Sequence, residues 1–324
     1  MFTANLPACQ CDKILFFSTR SSGRASNFRT NFIRSFVSDS AESIRYQIEE
    51  QVLSEDADVD LVKLAQFAVK YQLPNSLRVS IWKLLLDVDS CYSKIKKVVA
   101  QHRKEEADVL LRSLTVMRAL TNFSALATDE TAEPDLESID ILRMIQLGDG
   151  KALVRSAYPN DIAKQMLIAC KQEWRDAFWL TKNFDELVAS VFTDTVLHKT
   201  AWETKDKLQA IKNDPAVTAI NDNNLWSRIP FIFWFRSVGA TMFSHEGVLK
   251  FWDKVCGCTK EGLVKLMKVT VEAYILDAAS LIVETLKNDG QDITEFQLPK
   301  EAEVALLGRI FESFISSGRF PVRR

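Results

Sequence analysis

Glycine and proline are scarce in this 324-residue chain, with only ten and eight respectively. A protein of many short strands joined by tight turns needs more of both, so long helices are the expected element. Cysteine is sparse as well. Cys9, Cys11, Cys91, Cys170, Cys256 and Cys258 are spread too thinly to form the disulfide framework that replaces a core in small secreted domains. That spread points to a reducing, cytoplasmic compartment. Charge of one sign is also lacking: 41 basic side chains face 43 acidic ones, for a net charge of -2. Such a balance creates no global field to gather nucleic acid or an anionic membrane. No run of about 18 uncharged apolar residues occurs, as a membrane-spanning helix requires. The most apolar stretch, Leu263 to Leu286, is interrupted by Lys265, Lys268, Glu272, Asp277 and Glu284.

What the chain does have is 47% hydrophobic residues, ample for a large core. Residues 1 to 40 stand apart. Up to position 38 they are rich in Ser, Thr, Asn and Arg, with Lys13, Arg20, Arg24, Arg29 and Arg34 against the single acid Asp12. That bias is shared with mitochondrial transit peptides, but no amphipathic period organises the arginines, and a disordered or atypical tail is the plainer reading. From Ala41 the pattern turns helical, with Ile44, Ile48 and Val52 at four-residue spacing behind Ser43. Leu61, Leu64, Ala68 and Tyr71 line one face of a second helix stopped by Pro74, and Leu77, Ile81, Leu84 and Leu85 line the next. Further helices are expected over 105–120, 141–147, 161–187, 197–211, 260–287 and 300–316. Two loops separate them, an acidic connector over 126–140 around Pro134 and an Asn/Asp-rich stretch over 213–224. Trp174, Phe178, Trp179 and Phe184 recur at core spacing.

The segment Leu73-Pro74-Asn75-Ser76-Leu77-Arg78-Val79-Ser80-Ile81-Trp82 joins a proline turn to a helix that carries Arg78 and Trp82 four residues apart on one face. Far downstream, Phe233-Trp234-Phe235-Arg236 precedes Gly247-Val248-Leu249-Lys250-Phe251-Trp252-Asp253-Lys254-Val255. This ordered pair resembles the opening motif and the "iWD" helix of TBC domains, the Rab GTPase-activating fold. Between the two, Leu111 to Leu120, Ile141 to Leu147 and Asp176 to Thr181 resemble one branch of that family, the small TBC subunit of the tuberous sclerosis complex. The resemblance covers residues 41 to 317, with 318 to 324 as a short tail. It implies an all-α TBC domain, a bundle of many helices in two subdomains. In it Pro74, Arg78, Trp82, Trp252 and Asp253 are structural signature residues.

A catalytic TBC domain uses two fingers, an Arg from Ile-x-x-Asp-x-x-Arg and a Gln from Tyr-x-Gln-Gly. A guanidinium beside the transferring phosphoryl group contributes about 10³- to 10⁵-fold in rate, and the amide positions the attacking water. Here the first motif falls within residues 110 to 120 and no register restores it. With Arg118 as finger the Asp position holds Thr115 and the Ile position Arg112; in the frame Leu111, Leu114, Met117 no polar residue survives. Arg118 then reads as a helix-surface arginine. The second motif leaves Gln146 in Met144-Ile145-Gln146-Leu147, with Leu in place of the Gly that permits close approach. Gln146 is the residual Gln-finger candidate; its alternative role is that of a helix-surface amide.

Other chemistries find less support. Gly148-Asp149-Gly150-Lys151 lacks phosphate-loop spacing and reads as a helix-ending turn. Cys256 and Cys258 offer two metal ligands without a second pair in the body, and His102, His198 and His245 are scattered. No cofactor or metal is implied. The basic run Lys94, Lys96, Lys97, Arg103, Lys104 could meet acidic lipid headgroups or an acidic partner, but Glu105 and Glu106 follow and a solvated face is the plainer reading.

The family resemblance implies a non-catalytic subunit that binds the coiled coil of hamartin and, through it, tuberin. Tuberin then supplies the catalysis toward Rheb that restrains TOR signalling, in the cytoplasm and at lysosomal or vesicle surfaces. An apolar groove between helices would suit such a partner. Two rival readings remain. One is an active Rab GTPase-activating protein using Arg112, Arg118 or Arg143 beside Gln146; the other is a trafficking adaptor that binds GTP-loaded Rabs without hydrolysing them.

Overall fold

The computed structural model describes residues 58–121, 135–153, 157–287 and 298–316. The N-terminal tail, the helix read from Ala41, most of the acidic connector and the tail over 318–324 lie outside the described residues. Among the described residues every regular element is a helix. In chain order these are α1 (Leu61–Lys70), α2 (Asn75–Leu85), α3 (Ser93–Val116), α4 (Ser138–Gly148), α5 (Ala157–Ala169) and α6 (Trp174–Val191). They continue as α7 (Asp194–Gln209), α8 (Pro215–Asp222), α9 (Phe231–Arg236), α10 (His245–Gly257), α11 (Lys260–Lys287) and α12 (Lys300–Ser316).

The helices begin where the local chemistry allows. The Asp60 carboxylate accepts the Val62 and Lys63 N–H groups at 3.1 Å, capping α1. Pro74 ends the connection from α1 and stands at the N-cap of α2, its carbonyl accepting from the Arg78 N–H at 3.0 Å. Ser244 caps α10 through Gly247, while its own N–H and hydroxyl both donate to the buried Glu303 carboxylate of α12 at 2.6 Å.

Packing sorts the helices into two groups. α3 to α6 pack on one another, and α7, α8, α9, α11 and α12 form the second set around the long α11. Between them lie α1, α2 and α10. α10 packs most extensively on α1 and also touches α2, α5 and α12. One contiguous apolar cluster runs through both groups. Its largest fully buried side chains include Trp82, Trp234, Trp252, Phe178, Phe184 and Tyr274, each contributing roughly 1.5–3 kcal/mol on burial. α1 and α10 approach closely because Gly257 has no side chain; a Cβ there would stand 2.7 Å from the Ala65 carbonyl oxygen.

Four readings from the sequence need correction. The helix expected over 161–187 is two, α5 and α6, turned at Lys171 and Gln172, whose φ values are 53° and 68°. The loop expected over 213–224 contains α8, started by Asp214, which accepts from Ala216 and Val217, with Pro215 in the first turn. α3 begins at Ser93, a dozen residues before the expected start. The described end of the acidic connector is no solvated loop: Asp140 is fully buried.

Candidate functional site

The signature residues meet at one point. The Arg78 guanidinium clasps the Asp253 carboxylate bidentately, Nε to Oδ1 at 2.9 Å and Nη2 to Oδ2 at 3.1 Å. Nη2 also donates to the Leu73 carbonyl at 3.1 Å and Nη1 to Asn75. Trp82 Nε1 donates to Asp253 Oδ1 at 3.0 Å, so Arg78 and Trp82, one turn apart on α2, share one carboxylate on α10. Trp252 packs between Trp82 and Phe184 with the rings tilted, at centroid distances of 6.2 and 4.6 Å, and donates from Nε1 to the Val238 carbonyl. Next to it, the buried Lys254 ammonium caps the end of α1, donating to the Ala68 carbonyl at 2.9 Å and to the Tyr71 carbonyl.

Burial governs the electrostatics here. It pushes the Asp253 carboxyl above its ordinary range, against the pull of Arg78 and Trp82. It pulls Lys254 down to about 8, and it raises the nearby Cys258 thiol to about 12. Arg78, Asp253 and Lys254 are buried, and their hydrogen bonds join α1, α2 and α10.

An open concave surface lies elsewhere. A cleft of about 970 Å³ runs between the end of α3 and the start of α4, lined by Arg118, Thr121, Glu137, Ser138, Arg143 and Asn160 among others. Arg143 is positioned by the buried Asp140: Nη1 donates to Asp140 Oδ1 at 3.1 Å and to the Thr121 hydroxyl at 3.3 Å. Asp140 also accepts the Thr121 N–H at 2.9 Å and completes a capping box with Glu137 at the start of α4. An arginine fixed by a carboxylate in this way presents its remaining N–H groups in one orientation, as recognition of an anionic group demands.

The sequence-predicted finger residues are not all brought to this cleft. Arg118 lines it, but stands just past the end of α3 with φ 54° rather than on a helix surface. Gln146 is half-buried one turn beyond Arg143 and does not line the cleft, while Leu147 packs against the core. Arg112 is exposed along α3. Asp140, Thr121 and Asn160 escaped the sequence reading. The available signal was the Asp-x-x-Arg spacing of Asp140 and Arg143, hidden inside what read as a charged connector. The turn after α4 is as read: Gly150 has φ 67° and the Lys151 N–H closes on the Gln146 carbonyl.

This arrangement of helices is the Rab GTPase-activating, or TBC, fold. The Ypt/Rab-GAP domain of Gyp1p superposes with a TM-score of 0.58 over 89% of this chain and 99% of that one, at 12% identity. No family model matches the chain. In sequence it is similar to TBC1 domain family member 7 of Xenopus tropicalis, 25% identical over 255 residues, covering 76% of this chain and 80% of that protein. The protein of the same name from Homo sapiens is 22% identical over 266 residues, 78% of this chain and 86% of its own length. The resemblance read from Arg78, Trp82, Trp252 and Asp253 therefore holds at the level of fold and of named relatives.

Proposed function

We propose that this chain is a non-catalytic TBC-fold subunit of the hamartin–tuberin complex. It binds the hamartin coiled coil, and tuberin supplies GTPase activation toward Rheb and so the restraint on TOR signalling. The observation that carries the non-catalytic reading is the state of α3 where a catalytic domain needs its Asp-x-x-Arg. In one frame the Asp position is Leu114, fully buried in the core. In the other it is Thr115, whose hydroxyl donates back to the Leu111 carbonyl of its own helix at 2.9 Å. Neither frame supplies from that position the carboxylate that would hold Arg118 toward a nucleotide. The similarity to TBC1 domain family member 7 supports the choice of complex.

Two measurements test this reading together. In titration calorimetry the purified chain is expected to bind the hamartin coiled coil, and in single-turnover assays it is expected to leave GTP hydrolysis by a Rab panel unchanged. Absence of hamartin binding would sink the assignment.

One observation favours a second reading, an active Rab GTPase-activating protein. Arg143 is held by Asp140 on the wall of an open cleft, which is the arrangement that a finger arginine requires. Stimulated hydrolysis that disappears in Arg143→Ala and survives in Arg78→Lys would establish that reading in place of the first.

A further inference from the structure

We infer that the N-terminal half of α3 is a docking face for an anionic phospholipid bilayer. Residues 93–104 hold five basic side chains and no acidic one. Arg103 turns inward, its guanidinium 4.0 Å over the Trp179 ring. Lys94, Lys96, Lys97 and Lys104 are exposed, and none forms an ion pair among the described residues. Between these lysines, Ile95 and Val98 stand 48% and 56% exposed, one turn apart on the same face. No residue from 94 to 102 is fully buried; α3 meets the body at Arg103, whose carbonyl accepts from Trp179 Nε1 at 2.9 Å, and through the buried Ala107 and Leu114 beyond it.

The charge placement works against the helix itself. Lys94, Lys96 and Lys97 crowd the positive end of the helix dipole and the first turn contains no acid; the Asp58 carboxylate, which accepts from the Ser93 N–H at 3.0 Å and from its hydroxyl at 3.3 Å, brings a single negative charge against three positive ones. An external anionic surface relieves that repulsion. A second copy meeting this one across a two-fold axis would not, because it would bring the same lysines face to face. An acidic protein surface would satisfy the lysines and leave Ile95 and Val98 without an apolar partner. A bilayer meets both demands: phosphate charge lies in one plane with hydrocarbon a few ångströms below, and lysine stems reach past the apolar side chains to the headgroups. Glu105, Glu106 and Asp108 end the basic stretch after three turns, which confines the contact to the helix tip.

The test is flotation of the full chain with phosphatidylcholine vesicles, with and without about a quarter phosphatidylserine. Binding is expected only to the anionic vesicles and is expected to weaken as salt is added. Each lysine near the surface contributes about fivefold, so Lys94→Glu, Lys96→Glu and Lys97→Glu together are expected to cost about a hundredfold. The same charge change at the exposed Lys164, Lys212 and Lys260 is expected to leave local docking in place. Ile95→Asp with Val98→Asp, with all lysines retained, is expected to weaken binding as well. All substituted residues are exposed, and acids in the first turn favour the helix, so unfolding does not explain a loss. The inference is overturned if the wild type ignores anionic vesicles, or if the α3 lysine variant binds like the wild type. Equal loss in the control set overturns it by making net charge sufficient. Full vesicle binding by the Ile95/Val98 variant overturns it too, because the apolar pair that singles out a bilayer among anionic surfaces would then play no part.

Discussion

Removing Arg78 would strand the Asp253 carboxylate in the core, beside Trp82 and away from water. An unpaired buried charge is far more costly than a lost surface pair, so Arg78→Ala is expected to destabilise the fold by about 3–5 kcal/mol in urea denaturation. A cost near that of an exposed salt bridge would mean that the pair is solvated. Lys254 gives a pH signature. In the unfolded chain it keeps its proton up to its ordinary value of 10.5, whereas in the fold it releases it at about 8. Between those values the unfolded state binds more protons, so rising pH favours the fold. Cys170, pushed up to about 12, loses stability with pH in the wild type and in Lys254→Met alike, whereas Cys258 loses the downward pull of Lys254 in the variant, which adds to the gap in the same direction. Thermal melts are therefore expected to show the wild type gaining on Lys254→Met as pH rises from about 8 towards 10.5. A constant gap between the two would show that the amine is not held in a low-dielectric site.

The contact of α1 with α10 in the joint depends on one missing methyl group. A Cβ on Gly257 would press on the Ala65 carbonyl and on Val69, neither of which is a flexible chain end. Gly257→Ala is expected to push the helices apart at a cost of about 1–3 kcal/mol, measured by denaturant midpoint. If the variant is as stable as the wild type, the helices do not pack at this distance. How far each helix was legible depends on the kind of signal it carries. α1, α2, α11 and α12 follow from apolar spacing alone. The break between α5 and α6 was invisible because Lys171 and Gln172, neither glycine nor proline, adopt the left-handed turn. α8 was hidden by Asn and Asp, although Asp214-Pro215 is itself a start signal. α3 was read short because its first three turns are basic and bury nothing.

Because one core runs through both helix groups, they are expected to unfold together. Trp252 lies at their junction, packed on Trp82 of α2 and Phe184 of α6. Trp252→Ala is expected to cost about 3–5 kcal/mol and to lower the tryptophan-fluorescence and far-ultraviolet midpoints by the same amount. Separated midpoints would show that the groups are independent. The all-helical class, most helices and both signature motifs were determined by the sequence itself, because periodicity and four-residue spacing are local properties of the chain. The partnership of Arg78 with Asp253 joins residues 175 positions apart. The burial of Asp140, the cleft it shapes around Arg143 and the retreat of Gln146 from that cleft were likewise decided only by tertiary structure. A side chain's burial and charge partners are set by whichever helix packs against it, and no local pattern records which helix that is.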